Sequence, residues 1–197
     1  NWDNDDTFTH SNATVLFDGE VASSYLIDAD GTGTDSFYNV TVGGNSSAIW
    51  VMNTDMDVDN DLIISTSELS LGTGNTLYVG GDFTNNNRFT ESTGTLTMNG
   101  GAGTHWIDTS EAESVEYADF YNLTFDDGAA GATYKSYYPI DADNNITVTG
   151  GDLNMNGPQT WYLTSDTTDA VADNRRLKVQ DPAGTADNTS TCDDNAT

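Results

Sequence analysis

The sequence predicts an all-β chain coiled into a parallel β-solenoid, and three observations carry that prediction. Helix formers are scarce among the 197 residues, whereas Thr, Asn, Asp and Gly, the residues of strands and tight turns, are abundant. Apolar and polar residues alternate in runs of only three to five. Blocks of sequence also recur in the same order with shifts of 81 to 84 residues.

Taken in order, residues 1–13 form an N-terminal segment. Repeat copy 1 covers 14–93 and opens on Thr14-Val15-Leu16-Phe17-Asp18-Gly19, which returns as Thr95-Leu96-Thr97-Met98-Asn99-Gly100. Phe37-Tyr38-Asn39-Val40-Thr41-Val42 returns as Phe120-Tyr121-Asn122-Leu123-Thr124-Phe125. Asp57-Val58-Asp59-Asn60 returns as Asp141-Ala142-Asp143-Asn144, Leu69-Ser70-Leu71 as Leu153-Asn154-Met155, and Leu77-Tyr78-Val79 as Trp161-Tyr162-Leu163. Copy 2 therefore covers 94–176, and 177–197 is a polar tail or linker with few apolar residues. Within each copy, alternating triplets such as Leu69-Ser70-Leu71 and Leu77-Tyr78-Val79 turn one face to a core. Gly-Thr-Gly-Asn (72–75), Gly-Gly-Asp (80–82) and Asn-Gly-Gly (99–101) separate them as turns, because Gly and Asn reach positive φ at little cost. A coil of ~20–30 residues would place three or four coils in each copy. The alternative fold is two tandem β-sandwich domains, since a period near 83 approaches the ~100 residues of an immunoglobulin-like unit. The short strands and the lack of a Cys pair in either copy weigh against it.

The stretch from Asp57 through Leu69-Ser70-Leu71-Gly72 to Leu77-Tyr78-Val79-Gly80-Gly81-Asp82-Phe83-Thr84-Asn85 resembles the coil repeats of large secreted right-handed β-helix surface proteins. Gly94-Thr95-Leu96-Thr97-Met98-Asn99-Gly100 and the Phe-Tyr-Asn-Leu-Thr block share the likeness, which covers most of Thr14 to Leu163 and stops after Thr164. Members of that group are adhesins, surface-layer components and filament or wall proteins. The resemblance implies a structural or adhesive role outside the cell.

Charge narrows the partners. Five Lys and Arg face 32 Asp and Glu, for a formal net charge of -27. Nucleic acid requires a basic footprint that this chain lacks, and an anionic membrane surface would repel it. No apolar run reaches the ~18–20 residues that span a bilayer. The 36% hydrophobic content, with 4 Trp, 9 Tyr and 7 Phe, supplies an ordered core. The chain opens without a signal peptide and so reads as a mature or trimmed product. Cys192 is the single thiol and is either free or linked to another chain.

Acid clusters are the candidate cation sites. Asp28 and Asp30, with Asp35, lie on a glycine-rich turn whose oxygens could hold Ca²⁺. Asp57, Asp59 and Asp61 with Glu68 copy positions 1, 3, 5 and 12 of an EF-hand loop, but Leu62 stands where the sharp turn needs Gly, and the segment reads as a strand. No cofactor other than Ca²⁺ is expected. Seven Asn-x-Ser/Thr sequons, at Asn12, Asn39, Asn45, Asn122, Asn145, Asn188 and Asn195, are glycosylation candidates and point to an extracellular or cell-surface location. Tyr137 and Tyr138, ahead of Pro139, form an exposed patch able to stack on sugars; Trp50, Trp106, Trp161 and Tyr162 are further aromatics of that kind. No catalytic residue is assigned: His10 and His105 are the only histidines, and no spacing joins them to a nucleophile. The expected role is a structural subunit or segment of a filament, sheath or surface layer that self-associates through β edges, since no capping helix is visible at either end. An adhesin or glycan-binding module is the alternative, and a polysaccharide-active enzyme the third reading.

Overall fold

A computed structural model describes residues 1–4, 8–29, 36–109, 118–127, 131–138, 140–150, 152–153 and 176–179. Asp30, Asp35, Asn188, Asn195, Cys192, Pro139, Trp161 and Tyr162 lie outside the described residues.

The chain enters through β1 (Trp2–Asp3), β2 (Thr14–Gly19) and β3 (Ser24–Asp28). It then cycles over three sheets. The first complete coil is β4 (Ser36–Phe37), β5 (Asn39–Gly44) and β6 (Ile49–Met52); the second is β7 (Met56–Val58), β8 (Leu62–Ile64) and β9 (Glu68–Ser70). The third is β10 (Thr76–Val79), β11 (Phe83–Asn85) and β12 (Arg88–Thr90). Beyond it follow β13 (Thr95–Met98), β14 (Gly103–Asp108), β15 (Ala118–Phe125), β16 (Ala132–Ser136), β17 (Ile140–Val148), β18 (Asp152–Leu153) and β19 (Arg176–Val179). Sheet 1 runs β4-β7-β10-β13-β15-β17-β19, sheet 2 runs β2-β5-β8-β11-β14-β16-β18, and sheet 3 runs β1-β3-β6-β9-β12. Every described strand pair is parallel. The fold is a β-solenoid. Parallel neighbours one coil apart exclude the tandem sandwiches, whose sheets are antiparallel.

Strand alternation builds the core directly. On sheet 1, Phe37, Val58, Val79, Met98, Phe125 and Val148 stack in register, and so do Met56, Leu77, Leu96, Leu123 and Ile146. On sheet 2 the inward column is Val40, Leu62, Phe83 and Ile107; on sheet 3 it is Tyr25, Trp50, Leu69 and Phe89. These columns meet in one buried cluster. Each fully buried Leu, Ile or Phe contributes about 1.5–3 kcal/mol relative to an exposed side chain. Three residues per strand suffice, because every strand buries its face against the other two sheets and its edges against the coils before and after.

The repeating unit is the coil. Partners lie 21 residues apart from Phe37 to Val58 and again from Val58 to Val79, 19 apart from Val79 to Met98, and 27 from Met98 to Phe125. The longer sequence recurrence crosses this frame. Asp57–Asn60 and Asp141–Asn144 both touch sheet 1 strands, but Asn39–Val42 belong to β5 in sheet 2 whereas Asn122–Phe125 belong to β15 in sheet 1. The first of these block pairs keeps its sheet and the second changes it.

Two expectations are corrected by packing. The end at which β1 lies is covered. Trp2 and Phe8 reach over the last core residues, with ring centroids 5.1 Å apart; Trp2 meets Phe37 at 5.5 Å and Phe17 at 6.0 Å in edge-on pairs. Such pairs contribute about 0.5–1.5 kcal/mol each beyond their area. The cap is therefore an aromatic plug from the N-terminal segment and needs no helix. The corner glycines also act differently from the expectation. Gly72 and Gly74 have positive φ, at 68° and 76°. Gly80, Gly81 and Gly100 do not. A side chain at Gly80 would strike the Asp59 carbonyl oxygen one coil below, and one at Gly81 would strike the Asp61 carboxylate. Close approach of stacked corners, not dihedral freedom, demands glycine there.

Candidate functional site

Polar residues at the corners, among them the sequon Asn39 and the candidate cation ligand Asp61, form a ladder between coils. Asn39 donates from Nδ2 to Thr14 Oγ1 (3.4 Å), and its Oδ1 accepts the Asp61 N–H (3.2 Å) and the Asn60 side-chain amide (2.8 Å). Asp61 Oδ1 accepts the Asp82 N–H (2.9 Å), and Asp82 Oδ1 accepts the Trp106 N–H (2.8 Å). Each side chain thus satisfies a main-chain donor one coil further on. The strands need this, because the N–H groups at their corners lie beyond the regular sheet pattern and would otherwise be unpaired. A second ladder runs along sheet 1. Asn122 Oδ1 accepts amides from Asn144 (2.8 Å) and Asn145 (3.2 Å), while its Nδ2 reaches Gly94 O and Thr95 Oγ1, both at 3.4 Å. Asp55 Oδ1 takes the Thr76 N–H at 2.7 Å, and Asp28 Oδ2 takes the Asn53 amide at 2.7 Å.

This geometry decides what the predicted acids do. Asp28 sits at the end of β3, tied to Asn53. Asp57 faces outward from β7. Burial, and after it the Asp59 carboxylate, hold its carboxyl above the ordinary aspartate range against a lowering backbone hydrogen bond from Val58. Asp59 pairs with His10 (Nε2 to Oδ2, 3.0 Å) and accepts from Ser36 Oγ (3.0 Å). Asp61 is a rung of the ladder. Among the described residues, no three His, Cys, Asp or Glu side chains come together as a set able to hold a metal ion. Glu91 is another carboxyl raised, by burial first and then by Asp143, against its own backbone N–H and Arg88.

Both histidines have structural partners. His10 accepts the Asn12 N–H at Nδ1 (3.0 Å), stacks on Tyr38 at 5.7 Å and ties the N-terminal segment to Asp59. His105 contacts Gly101 O at 2.8 Å and Tyr134 at 5.8 Å. Of the sequons, Asn12 is exposed with φ 59°, and Asn45 is exposed with its Oδ1 accepting the Ser47 N–H at 2.8 Å. Asn39, Asn122 and Asn145 are half-buried in the ladders.

Tyr137 and Tyr138 are exposed, at 48% and 41%. Tyr137 stacks on Trp106 with centroids 4.2 Å apart and planes 17° from parallel, and Lys135 Nζ lies 5.2 Å from the Trp106 ring centroid. The structure therefore joins Trp106 and Lys135 to the two tyrosines, while Trp50 is a core residue under Tyr25 at 4.7 Å. The sequence carried a partial signal for the ladder, since Asn39, Asp61 and Asp82 stand 22 and 21 residues apart, one coil each.

These features define a parallel β-solenoid whose polar corners are tied coil to coil by side-chain amides and carboxylates. Comparison with known protein families, with curated proteins and with solved structures finds no match.

Proposed function

We propose that this chain is a structural segment of an extracellular filament, sheath or surface layer, self-associating through the strand edges at the ends of its sheets. The observation that carries the reading is the end position of β2, a six-residue strand with one described strand partner, β5. Asn39 N–H bonds to the Ala13 carbonyl at 3.3 Å, which sets the parallel phase. The N–H groups of Val15 and Phe17 then turn to β5, and those of Thr14, Leu16 and Asp18 turn away from it. An edge of that length is a template for another strand. Leu16, Val21 and Leu26, exposed by 56%, 59% and 45%, lie on the coil that contains β2 and β3. The aromatic plug seals the core beneath this edge, so a subunit is stable alone and still able to add a strand. End-to-end contacts of unlike surfaces propagate rather than close.

Light scattering and electron microscopy over a concentration series test the proposal. Concentration-dependent linear assemblies are expected. Leu16→Pro removes one outward N–H without touching the β2–β5 bonds, and should leave circular dichroism intact while reducing assembly. A strictly monomeric wild-type particle at high concentration sinks the reading.

A further inference from the structure

We propose that the outer face of sheet 2 is a binding platform for a neutral pyranose polysaccharide, anchored at Trp106, Tyr137 and Tyr138. This site uses the outer side-chain face of the sheet, whereas self-association uses the outward main-chain groups of β2; the two share Leu16.

Three observations point to it. Exposed aromatics concentrate there, with Tyr137 stacked on Trp106 and Tyr138 beside it. Next, the outward row leading to Tyr137 is uncharged over four coils, while in the row beside it, which leads to Trp106, the Asp61 and Asp82 Oδ1 atoms are each engaged by a main-chain N–H of the next coil. Leu16, Thr41, Ile63 and Thr84 stand in register from β2 to β11, and Asp108 on β14 interrupts the row only as it reaches Tyr137, whose N–H donates to Ile107 O at 3.1 Å. At ~4.8 Å per strand, the face from β2 to β16 spans about 24 Å, room for several sugar rings laid along the solenoid axis. Finally, a neutral row on a chain of net charge -27 favours an uncharged ligand over an anionic one.

A pyranose ring matches this surface on both counts. Its axial C–H face is attracted to the electron-rich face of an exposed tyrosine. Its hydroxyls can pair with Thr41, Thr84 and the Lys135 ammonium. A purely apolar partner would bury those groups unpaired, at a cost. A polyanion, whether an acidic polysaccharide or a nucleic acid, meets the field of 32 carboxylates with a single lysine on the platform.

The test is affinity electrophoresis of the full chain in gels containing soluble β-glucan, xylan, mannan or glycol chitin, with alginate and heparin as the acidic arm. At least one neutral polymer should retard the wild type. Tyr137→Ala and Tyr138→Ala should each weaken that retardation roughly tenfold or more. Tyr138→Ala is a surface change whose circular dichroism should match the wild type, so its loss of binding reports the platform and not the fold. Running the gels at protein concentrations below the onset of light scattering separates retardation by glycan from retardation by assembly. Retardation by no neutral polymer, by the acidic arm alone, or equally in wild type and both tyrosine variants overturns the proposal.

Discussion

Asp61 offers the sharpest test of what the corner acids do. Its Oδ1 receives the Asp82 N–H at 2.9 Å, across 21 residues of sequence, in a half-buried corner where Gly81 leaves no side chain to shield the gap. Asp61→Ala removes that acceptor and strands a main-chain donor, which costs about 1–3 kcal/mol where water is excluded. Partial solvent access places the expected loss near the lower half of that range, roughly 1–2 kcal/mol. For a chain of this size, that lowers Tm by about 2–8 °C. Asp61→Asn keeps the acceptor oxygen and drops one negative charge from a chain at -27, so it should lie within about 0.5 kcal/mol of wild type. Hydrogen exchange gives the local readout: the Asp82 amide should exchange faster in Asp61→Ala and at the wild-type rate in Asp61→Asn. If Asp61→Asn is as damaging as Asp61→Ala, the charge matters and the oxygen does not. The ladder reasoning is then wrong, and a cation at this corner becomes the better account.

Acidification should stabilise the protein before it harms it. Asp57 and Glu91 hold their protons more tightly folded than unfolded, so their favourable contribution is complete below the ordinary values of 3.8 and 4.5 and is lost as pH rises through their raised folded values. At low ionic strength, Tm should rise as pH falls through the raised folded values toward 4.5 and 3.8, and Asp57→Asn should flatten part of that slope. The Tyr134 phenol is pushed above its ordinary range by burial and then by the Asp127 and Asp126 carboxylates, so unfolding should steepen as pH passes beyond 10, with no tyrosinate absorbance from this ring before the transition. Leu77→Ala, at a fully buried site in the sheet 1 column, should cost about 2–5 kcal/mol in urea denaturation. Expressed in a glycosylating host, the chain should carry sugar at Asn12 or Asn45 and none at Asn39, whose amide is committed between Thr14, Asn60 and Asp61; peptide mapping by mass spectrometry reads this directly.

The sequence by itself determined the local grammar of this protein. Leu77-Tyr78-Val79 alternates, and in the fold Leu77 and Val79 are buried while Tyr78 faces out. Period-two alternation is a property of the strand alone, so it is legible without knowing the partners. The coil of 19 to 27 residues between stacked partners on sheet 1 was not read from the sequence, where the recurrence that stood out was 81 to 84 residues. Only the tertiary structure decided which corners meet. Asn39, Asp61, Asp82 and Trp106 form one ladder through hydrogen bonds that span 21 to 24 residues, while the sequence recurrence relates Asn39–Val42 of sheet 2 to Asn122–Phe125 of sheet 1. The aromatic platform was half legible: the tyrosines stand out, but Trp106 joins them only because β14 and β16 pair in register with Trp106 opposite Lys135. Stacking register is set by volume and hydrogen-bond closure between coils, and neither is written in any single stretch of the chain.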